Sequence, residues 1–325
     1  MRFMVTGATG KVGNAVARRL VERGDELVAL VRDPAAAGKA LPAEVKLVQG
    51  DVTEPQAIQP AVEGVDGVFN CMGIYEQWLS DPGTFERVNA EGARNVVAEA
   101  HHAGVGRVVH TSTFDVFHAS TGGTMTEEQL ADYPKGTAYE RSKQHAEELV
   151  LAEASDGIEV VIVNPAGVYG PGPWAESGLD SAIRDAVRRR LPAVPPGGMT
   201  LGFIDDVAQG HLAAFERGRP GERYILGDGF ASMREIVAAA VEEAGRGWVP
   251  PTLPVSLARG MAAAGEGVSR LIRRPPLLGR GQLHFLLWGA KVDNSKARDQ
   301  LGVEFTPWKE GIRRTVRWMA EVGRI

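Results

Sequence analysis

Short apolar runs alternate with longer helical patterns through the first half of the chain, and this alternation constrains the fold more than any other feature. The runs are apolar at consecutive positions, which is typical of strands buried on both faces of a sheet. The alternation therefore predicts an α/β protein with a doubly wound parallel sheet. The predicted strands are Phe3–Thr6, Leu27–Val31, Lys46–Val48, Gly67–Asn70, Arg107–Thr111 and Glu159–Val163, and the predicted helices are Val12–Glu22, Pro55–Val62, Phe85–Ala103 and Thr137–Ala154.

A glycine triplet stands where the first strand turns into the first helix. Residues without a Cβ let backbone N–H groups approach a diphosphate, and the helix N-terminus adds partial positive charge. Because the triplet lies at the first strand–helix junction, we interpret it as a dinucleotide-binding loop rather than as a structural turn. The residues expected to contact the cofactor here are Gly7, Thr9, Gly10, Lys11, Val12 and Gly13.

The tip of the second strand bears on the choice between NADP and NAD. A basic side chain there pairs with the 2′-phosphate of NADP, whereas an acidic one accepts hydrogen bonds from the ribose 2′-hydroxyl of NAD. Arg32 stands at the tip and Asp33 follows it, so we expect NADP, with Lys39 as a second cation. The alternative is that Arg32 only stacks on the adenine or faces solvent, and the cofactor is then NAD.

The third strand is followed by Asp51 and Val52. A carboxylate at this place can accept a hydrogen bond from the adenine amino group. An N-cap for the helix that starts near Pro55 is an equal alternative for Asp51.

The second half of the chain is less regular and mostly helical. Helices are predicted near Ile183–Leu191, Met233–Ala244, Ser256–Ile272 and Trp308–Val322, with a strand turning into a helix within Phe203–Phe215 and a strand or helix turn at Leu283–Trp288. We expect a dinucleotide domain formed by residues 1–170 and about 199–228. A smaller substrate-binding domain is expected from residues 171–198 and about 229–325.

The net charge and the cysteine content limit which partners and which compartment we expect. The formal net charge is −5, which argues against binding nucleic acid or an anionic membrane through bulk charge. Cys71 is the single cysteine, so no internal disulfide can form, and a reducing cytoplasm is the expected compartment. We expect no membrane span and no metal site, because no apolar window is long enough and no ligand set has the right spacing.

Tyr139 and Lys143 stand four residues apart in a predicted helix, hence on one face and about 6 Å apart along the axis. A tyrosine has an ordinary pKa near 10, and a nearby ammonium lowers it by favouring the phenolate. Tyr139 is therefore a candidate general acid and base for a hydroxyl–carbonyl pair. Thr113 follows the strand Arg107–Thr111, where a hydroxyl can hold the substrate oxygen; a turn-capping role is the alternative.

These motifs together carry a family resemblance. The chain resembles the extended short-chain dehydrogenases/reductases of the NAD-dependent epimerase/dehydratase superfamily, and within it the dihydroflavonol-4-reductase-like and hopanoid-associated reductase-like members. The matching segments are TGATGKVG (6–13), GDVTEP (50–55), RVNAEGARNVV (87–97), RVVHTST (107–113), AYERSKQHAEELV (138–150), NPAGVYGPG (164–172), FIDDVAQGHLAAFERG (203–218) and AKVDNSKARDQLGVEFTPWKEGI (290–312).

The resemblance implies a Rossmann sheet and assigns roles to single residues. Tyr139 would be the acid/base, Lys143 would bind the nicotinamide ribose, and Thr113 would take the place of the usual serine. Backbone groups of Pro165, Ala166 and Val168 would contact the nicotinamide amide. Cys71, Met72 and Gly73 would line the cofactor where alanines are usual, with Met72 expected to protrude toward the nicotinamide.

The substrate is expected to be small and fairly apolar. Nucleotide-sugar enzymes of this family carry a GDG-x-x-x-R-D segment, and residues 195–200 lack that arginine. The candidate substrate residues are Tyr75, Trp78, Asp115, Trp174 and Phe203, although an aromatic residue is more often simply part of the core. Asn89 is a candidate for a water-mediated proton relay, and a helix-bending or turn-bonding role is an equal alternative.

We therefore expect an NADP-dependent oxidoreductase that transfers a hydride between the nicotinamide and a secondary alcohol or ketone. An epimerase or dehydratase with tightly bound NAD(P) is one alternative, and a non-catalytic NADP sensor is another. A monomer or a homodimer is expected.

Overall fold

The computed structural model describes residues 1–75, 79–154, 157–174, 178–272, 276 and 278–325. The strands are β1 (Arg2–Thr6), β2 (Glu26–Val31), β3 (Lys46–Gln49), β4 (Gly67–Asn70), β5 (Arg107–Thr111), β6 (Thr124–Met125), β7 (Glu159–Pro165), β8 (Gly167–Tyr169), β9 (Gly198–Phe203), β10 (Arg223–Leu226), β11 (Phe230–Ser232) and β12 (Lys291–Val292). The helices are α1 (Lys11–Glu22), α2 (Pro34–Ala40), α3 (Pro55–Val62), α4 (Gly83–Phe85), α5 (Gly92–His102), α6 (Ala138–Glu153), α7 (Gly178–Val187), α8 (Ile204–Arg217), α9 (Met233–Ala244), α10 (Val255–Ile272), α11 (Arg280–Trp288), α12 (Ser295–Leu301) and α13 (Trp308–Glu321).

Seven parallel strands form the main sheet in the order β10-β7-β5-β4-β1-β2-β3. The connection reverses direction between β1 and β4, so the carboxyl ends of these two strands flank a crevice where ligands of such sheets bind. All six predicted strands are present in this sheet, and the predicted fold class is confirmed.

Helices cover both faces of the sheet. Apolar side chains of α1 and α8 pack on one face, and those of α3, α5 and α6 pack on the other. Because both faces are buried, consecutive strand residues are apolar, as in Val160–Val163 of β7. This sandwich holds the strand ends, and the residues that follow them, at one rigid edge.

The remaining residues build a second layer beside that edge. A three-stranded sheet, β11-β9-β8, packs with α7, α9 and α13 around its own apolar cluster. The strand expected at Phe203 is β9 and belongs to this small sheet, whereas the seventh strand of the main sheet is β10. Leu283–Trp288 lies within helix α11. The proposed division into two domains stays a prediction.

The helix predicted over Phe85–Ala103 is interrupted. α4 continues into a π-helical stretch, Glu86–Glu91, before α5 begins at Gly92. Such wide turns are frequent at functional sites, and Asn89 lies in the middle of this one. The structure also adds α2, which the sequence patterns did not predict.

Candidate active site

The glycine loop brings backbone groups into very close approach. Gly7 has φ +65°, and a Cβ built there would lie 2.7 Å from the carbonyl oxygen of Cys71. A Cβ on Gly13 would lie 2.3 Å from the carbonyl oxygen of Gly7. Gly10 precedes α1 and makes no side-chain cap, so the first N–H groups of α1 remain available to an anion. This cradle fits the diphosphate of a dinucleotide.

Lys11 is engaged across the crevice. Its ammonium donates to Oδ2 of Asp180 at 2.5 Å and to the carbonyl oxygen of Val168 at 3.2 Å. Asp180 belongs to α7 and is almost fully buried. The side chain of Lys11 therefore joins the loop to the second layer, whereas Thr9 is exposed beside it and Val12 is partly buried.

Two exposed cations lie beyond the tip of β2. Within the described residues, the side chains of Arg32 and Lys39 form no hydrogen bond or ion pair. Asp33, between them, caps α2 by accepting from the backbone N–H of Ala36 at 3.1 Å. The carboxylate next to Arg32 is thus directed at a helix end and not at either cation.

Asp51 does not cap the following helix. Glu54 occupies the N-cap position of α3, and Oδ1 of Asp51 instead accepts from the backbone N–H and the hydroxyl of Thr53, at 3.0 and 2.9 Å. The N-cap alternative for Asp51 is therefore wrong. Its neighbour Val52 packs against Gly92 at the start of α5.

Tyr139 and Lys143 lie in the first turns of α6, which begins with a capping box between Thr137 and Glu140. Lys143 is buried, and its ammonium donates to the carbonyl oxygen of Thr111, the last residue of β5, at 2.8 Å. Burial lowers the pKa of Lys143 to about 8, while the Glu147 carboxylate and Cys71 act against this shift. Tyr139 is 8% exposed and meets the ring of Phe85 edge-on, 6.3 Å between centroids.

Thr113 and Asp115 form a buried pair beside them. Oγ1 of Thr113 accepts from the backbone N–H of Asp115 at 3.3 Å and lies 3.2 Å from its Oδ2. Burial raises the pKa of Asp115 to about 7; the Glu140 carboxylate adds to the rise, and Lys135 and the Thr113 hydroxyl oppose it. Thr113 does cap the short 3-10 turn Phe114–Val116, as its alternative role supposed, and that turn packs against α6.

The segment after β4 runs past Lys143. A Cβ on Gly73 would lie 3.4 Å from the Lys143 ammonium and 3.5 Å from Oδ1 of Asn89, so Gly73 leaves open space next to both. The expectation that Met72 protrudes toward the nicotinamide stays a prediction. Its side chain is buried in the core that contains α5, and its methyl group lies beside Gly92, because the small glycine leaves room there.

Asn89 fixes this segment by hydrogen bonds. Its Oδ1 accepts from the N–H of Ile74 at 2.7 Å, and its Nδ2 donates to the carbonyl oxygen of Ile74 and to Oγ of Ser142, both at 3.0 Å. The structure thus shows the turn-bonding role of Asn89.

Burial raises the pKa of nearby Cys71 to about 12, which suppresses the reactive thiolate.

The candidate substrate residues do not form one group. Tyr75 is 58% exposed after Gly73, whereas Trp174 is buried over Gly172. Phe203 is 2% exposed and packs against Tyr169 in the core of the second layer, so its observed contacts are packing contacts. Trp78 lies outside the described residues. Pro165 ends β7, Ala166 follows it, and Val168 lies in β8, where its carbonyl oxygen accepts from the Lys11 ammonium.

Several buried polar residues at this edge escaped the sequence reasoning. The carboxylate of Glu147 accepts hydrogen bonds from Asn164 Nδ2 at 2.8 Å and from Arg223 Nε at 2.6 Å. Asn164 Nδ2 also donates to the carbonyl oxygen of Thr113 at 3.1 Å. A second series of side-chain hydrogen bonds joins Thr6 to Asn70 at 2.7 Å and Asn70 to His110 at 3.2 Å. The signal for Glu147 was its position four residues after Lys143. For Thr6, Asn70, His110 and Asn164 the signal was a polar residue at or near the end of an apolar strand.

Two absences hold for the residues that the structure describes. No three histidine, cysteine, aspartate or glutamate side chains are grouped to hold a metal ion. No described helix is both long and apolar enough to cross a membrane.

Comparisons with known proteins show which family and which relatives this chain resembles. The family model described as NAD dependent epimerase/dehydratase matches residues 3–227. The chain is 30% identical to sterol demethylase protein B of Methylococcus capsulatus over 328 residues, covering 100% of both chains. It is 31% identical to a putative dihydroflavonol 4-reductase of Synechocystis, covering 99% of this chain and 96% of the other. Among solved structures, gox2253 superposes with a TM-score of 0.80 at 30% identity, covering 99% of each chain.

Proposed function

The chain belongs to the NAD dependent epimerase/dehydratase family, and from that membership we propose that it is an NADP-dependent reductase. It acts on a ketone, or in reverse on a secondary alcohol, of a small and fairly apolar substrate. The observation that carries the proposal is the position of Tyr139 and Lys143 on α6, where Lys143 is bonded to the end of β5 next to Thr113.

Tyr139 exchanges the proton of the reaction. The ammonium of Lys143 lowers the cost of forming the phenolate, and its bond to Thr111 keeps it on the tyrosine's face of the helix. The hydroxyls of Tyr139 and Thr113 hold the reacting oxygen, and their burial strengthens those bonds. When bound, NADPH supplies the hydride.

The cofactor is held along the carboxyl edge of the sheet. The N–H groups at the start of α1 take the diphosphate, and the exposed cations Arg32 and Lys39 take the 2′-phosphate. Asp51 faces the adenine amino group. Lys143 bonds the ribose beside the nicotinamide, in the space that Gly73 leaves open, and the backbone of Pro165–Val168 contacts the carboxamide.

The substrate lies between this edge and the second layer. Tyr75 and Asp115 are the substrate residues that the geometry favours, since one is exposed after the Gly73 segment and the other adjoins Thr113. The two relatives bear names that refer to a sterol and to a dihydroflavonol. We therefore propose a ring ketone of that apolar character.

The test is oxidation of NADPH with a panel containing a 3-keto sterol, a dihydroflavonol and an alkyl ketone. Wild type is expected to reduce at least one of them, and Tyr139→Phe is expected to lose turnover while keeping NADP affinity. Tyr133→Phe, at an exposed tyrosine bonded to His118, is the matched control. Near-normal turnover in Tyr139→Phe would sink the assignment.

The same assay separates the alternatives. A tightly bound cofactor that copurifies with the protein, with no net consumption of NADPH, would indicate an epimerase or dehydratase. NADP binding without conversion of any substrate would indicate a sensor. Sedimentation of the purified protein distinguishes the proposed monomer from the homodimer.

A further inference from the structure

Unpartnered polar atoms gather at one place in the fold. Among the described residues, four buried side-chain atoms lack a hydrogen-bond partner, and all belong to β5, to the segment just after it, or to the adjacent β7: His110 Nε2, Ser112 Oγ, Asp115 Oδ1 and Asn164 Oδ1. Asp115 is the acid among them. A buried anionic oxygen without a donor costs several kcal/mol, so the environment favours its protonated form.

The contacts of Thr113 link its hydroxyl to the protonation state of Asp115. A hydroxyl has one hydrogen to donate and two lone pairs that accept. One lone pair of Thr113 Oγ1 takes the N–H of Asp115 at 3.3 Å, and the carboxyl oxygen Oδ2 lies 3.2 Å away on the same hydroxyl. Which of the two oxygens donates across this second contact depends on where the Asp115 proton is.

We infer that Asp115 is a positioning residue that sets the direction in which the Thr113 hydroxyl donates. With Asp115 protonated, its O–H donates to Oγ1, both lone pairs of Thr113 are filled, and the Thr113 hydrogen is directed at the substrate oxygen. With Asp115 ionised, the Thr113 hydrogen turns to the carboxylate, and the substrate oxygen loses a donor. This rests on the proposed role of Thr113 in holding that oxygen.

The charged groups around Asp115 come from two neighbouring segments. Glu140 faces it from α6 and disfavours its ionised form. Lys135, in the segment before α6, favours the ionised form; its ammonium bonds the carbonyl oxygen of Phe117 at 2.9 Å and lies 4.3 Å from the Trp288 ring centre. Burial and Glu140 outweigh Lys135, and the pKa of Asp115 near 7 puts the change of direction at neutral pH.

Asp115→Asn tests the inference through the pH profile. The amide is a permanent donor to Thr113, so reduction should no longer depend on this group. In wild type, a required proton with a pKa near 7 predicts about a tenfold loss of turnover from pH 6 to pH 8. In the variant the tenfold decline is expected to disappear, whatever its absolute rate, and only the roughly twofold decline from deprotonation of Lys143 should remain. Asp115→Asn is expected to add nothing in a Thr113→Val background. A tenfold decline that persists in Asp115→Asn overturns the inference.

A titration without turnover keeps the test independent of the substrate. Carbon-13 NMR of aspartate carboxyls in the NADP-loaded protein should show one carboxyl with a midpoint near pH 7, absent from Asp115→Asn. In Thr113→Val, which removes the hydroxyl that opposes the rise, the midpoint should move upward, and Thr113→Ser should restore it. If Asp115→Asn fails to fold, this movement identifies the carboxyl.

The outcomes separate the two proposals. If the protein shows a carboxyl that titrates near pH 7 and responds to substitution of Thr113, yet reduces no ketone, that result contradicts the proposed function but not the coupling between Asp115 and Thr113. Reduction of a ketone by a protein whose Asp115 titrates near pH 4, or independently of Thr113, contradicts the inference alone.

Discussion

The ammonium of Lys11 donates to Oδ2 of Asp180 across 2.5 Å, and so ties the glycine loop to α7. The other oxygen of Asp180 accepts from the backbone N–H of Gly170 at 3.2 Å. One buried carboxylate thus organises two segments that border the crevice.

Asp180→Asn is expected to lower the free energy of unfolding by about 2 kcal/mol, since it weakens charged hydrogen bonds and leaves Lys11 without its counter-ion. Urea unfolding measures the change. Asp185→Asn, at a more exposed ion pair with Arg184 on the same helix, should stay within about 0.5 kcal/mol of wild type. Equal losses in the two variants would contradict the account.

Gly7→Ala is expected to affect mainly stability, and Gly73→Ala mainly the affinity for NADP. The first places a Cβ 2.7 Å from the Cys71 carbonyl oxygen at positive φ, so it should lower the melting temperature. The second makes only ordinary contacts, at 3.4 and 3.5 Å, so the protein should stay folded and bind NADP more weakly, because the methyl fills cofactor space. Melting curves and NADP titrations distinguish them; unchanged affinity in Gly73→Ala would argue against a cofactor there.

Arg32→Ala is expected to weaken NADP binding about tenfold or more and to leave NAD binding unchanged, because one charge-assisted contact to the 2′-phosphate is lost. Calorimetric titration with both cofactors measures this. Lys46→Ala, an exposed cation at the opposite end of the neighbouring strand β3, is the control. Equal affinities of wild type for NADP and NAD would refute the cofactor proposal.

Lys143→Met should make the protein more stable at pH 7 while abolishing turnover. Burial lowers the pKa of Lys143 to about 8 from 10.5, so between these values the unfolded chain binds more protons than the folded one. Wild-type stability from this group therefore rises as pH increases through that window. The advantage of Lys143→Met should shrink by about 2 kcal/mol from pH 8 to pH 10. Urea unfolding at several pH values tests this, with Lys46→Met as control.

The main sheet was predictable because its strands are buried on both faces and therefore apolar at consecutive positions. β10 was not, since its four residues, Arg223–Leu226, begin with a charged residue, and only pairing with β7 makes them a strand. The strand predicted within Phe203–Phe215 is β9, which ends at Phe203 rather than beginning there, and the sheet that a strand joins depends on partners distant in sequence. Local pattern carries no information about that pairing.

The candidate site divides in the same way. The spacing of Tyr139 and Lys143 and the glycine triplet are local, and the structure brings each to the carboxyl edge of the sheet. The side-chain directions of Met72 and Lys11 are not local, because Gly92 and Asp180 determine them. The burial of Asp115 is likewise not local, since the 3-10 turn that contains it packs against α6.

The position of β10 has a consequence for synthesis of the chain. β7 lies between β5 and β10, but β10 leaves the ribosome only after β8, α7, β9 and α8 have been made. Throughout that interval the outer edge of β7 presents unpaired N–H and C=O groups, a template on which another nascent chain can pair. The yield of soluble protein should therefore depend on the speed of translation between residues 166 and 226.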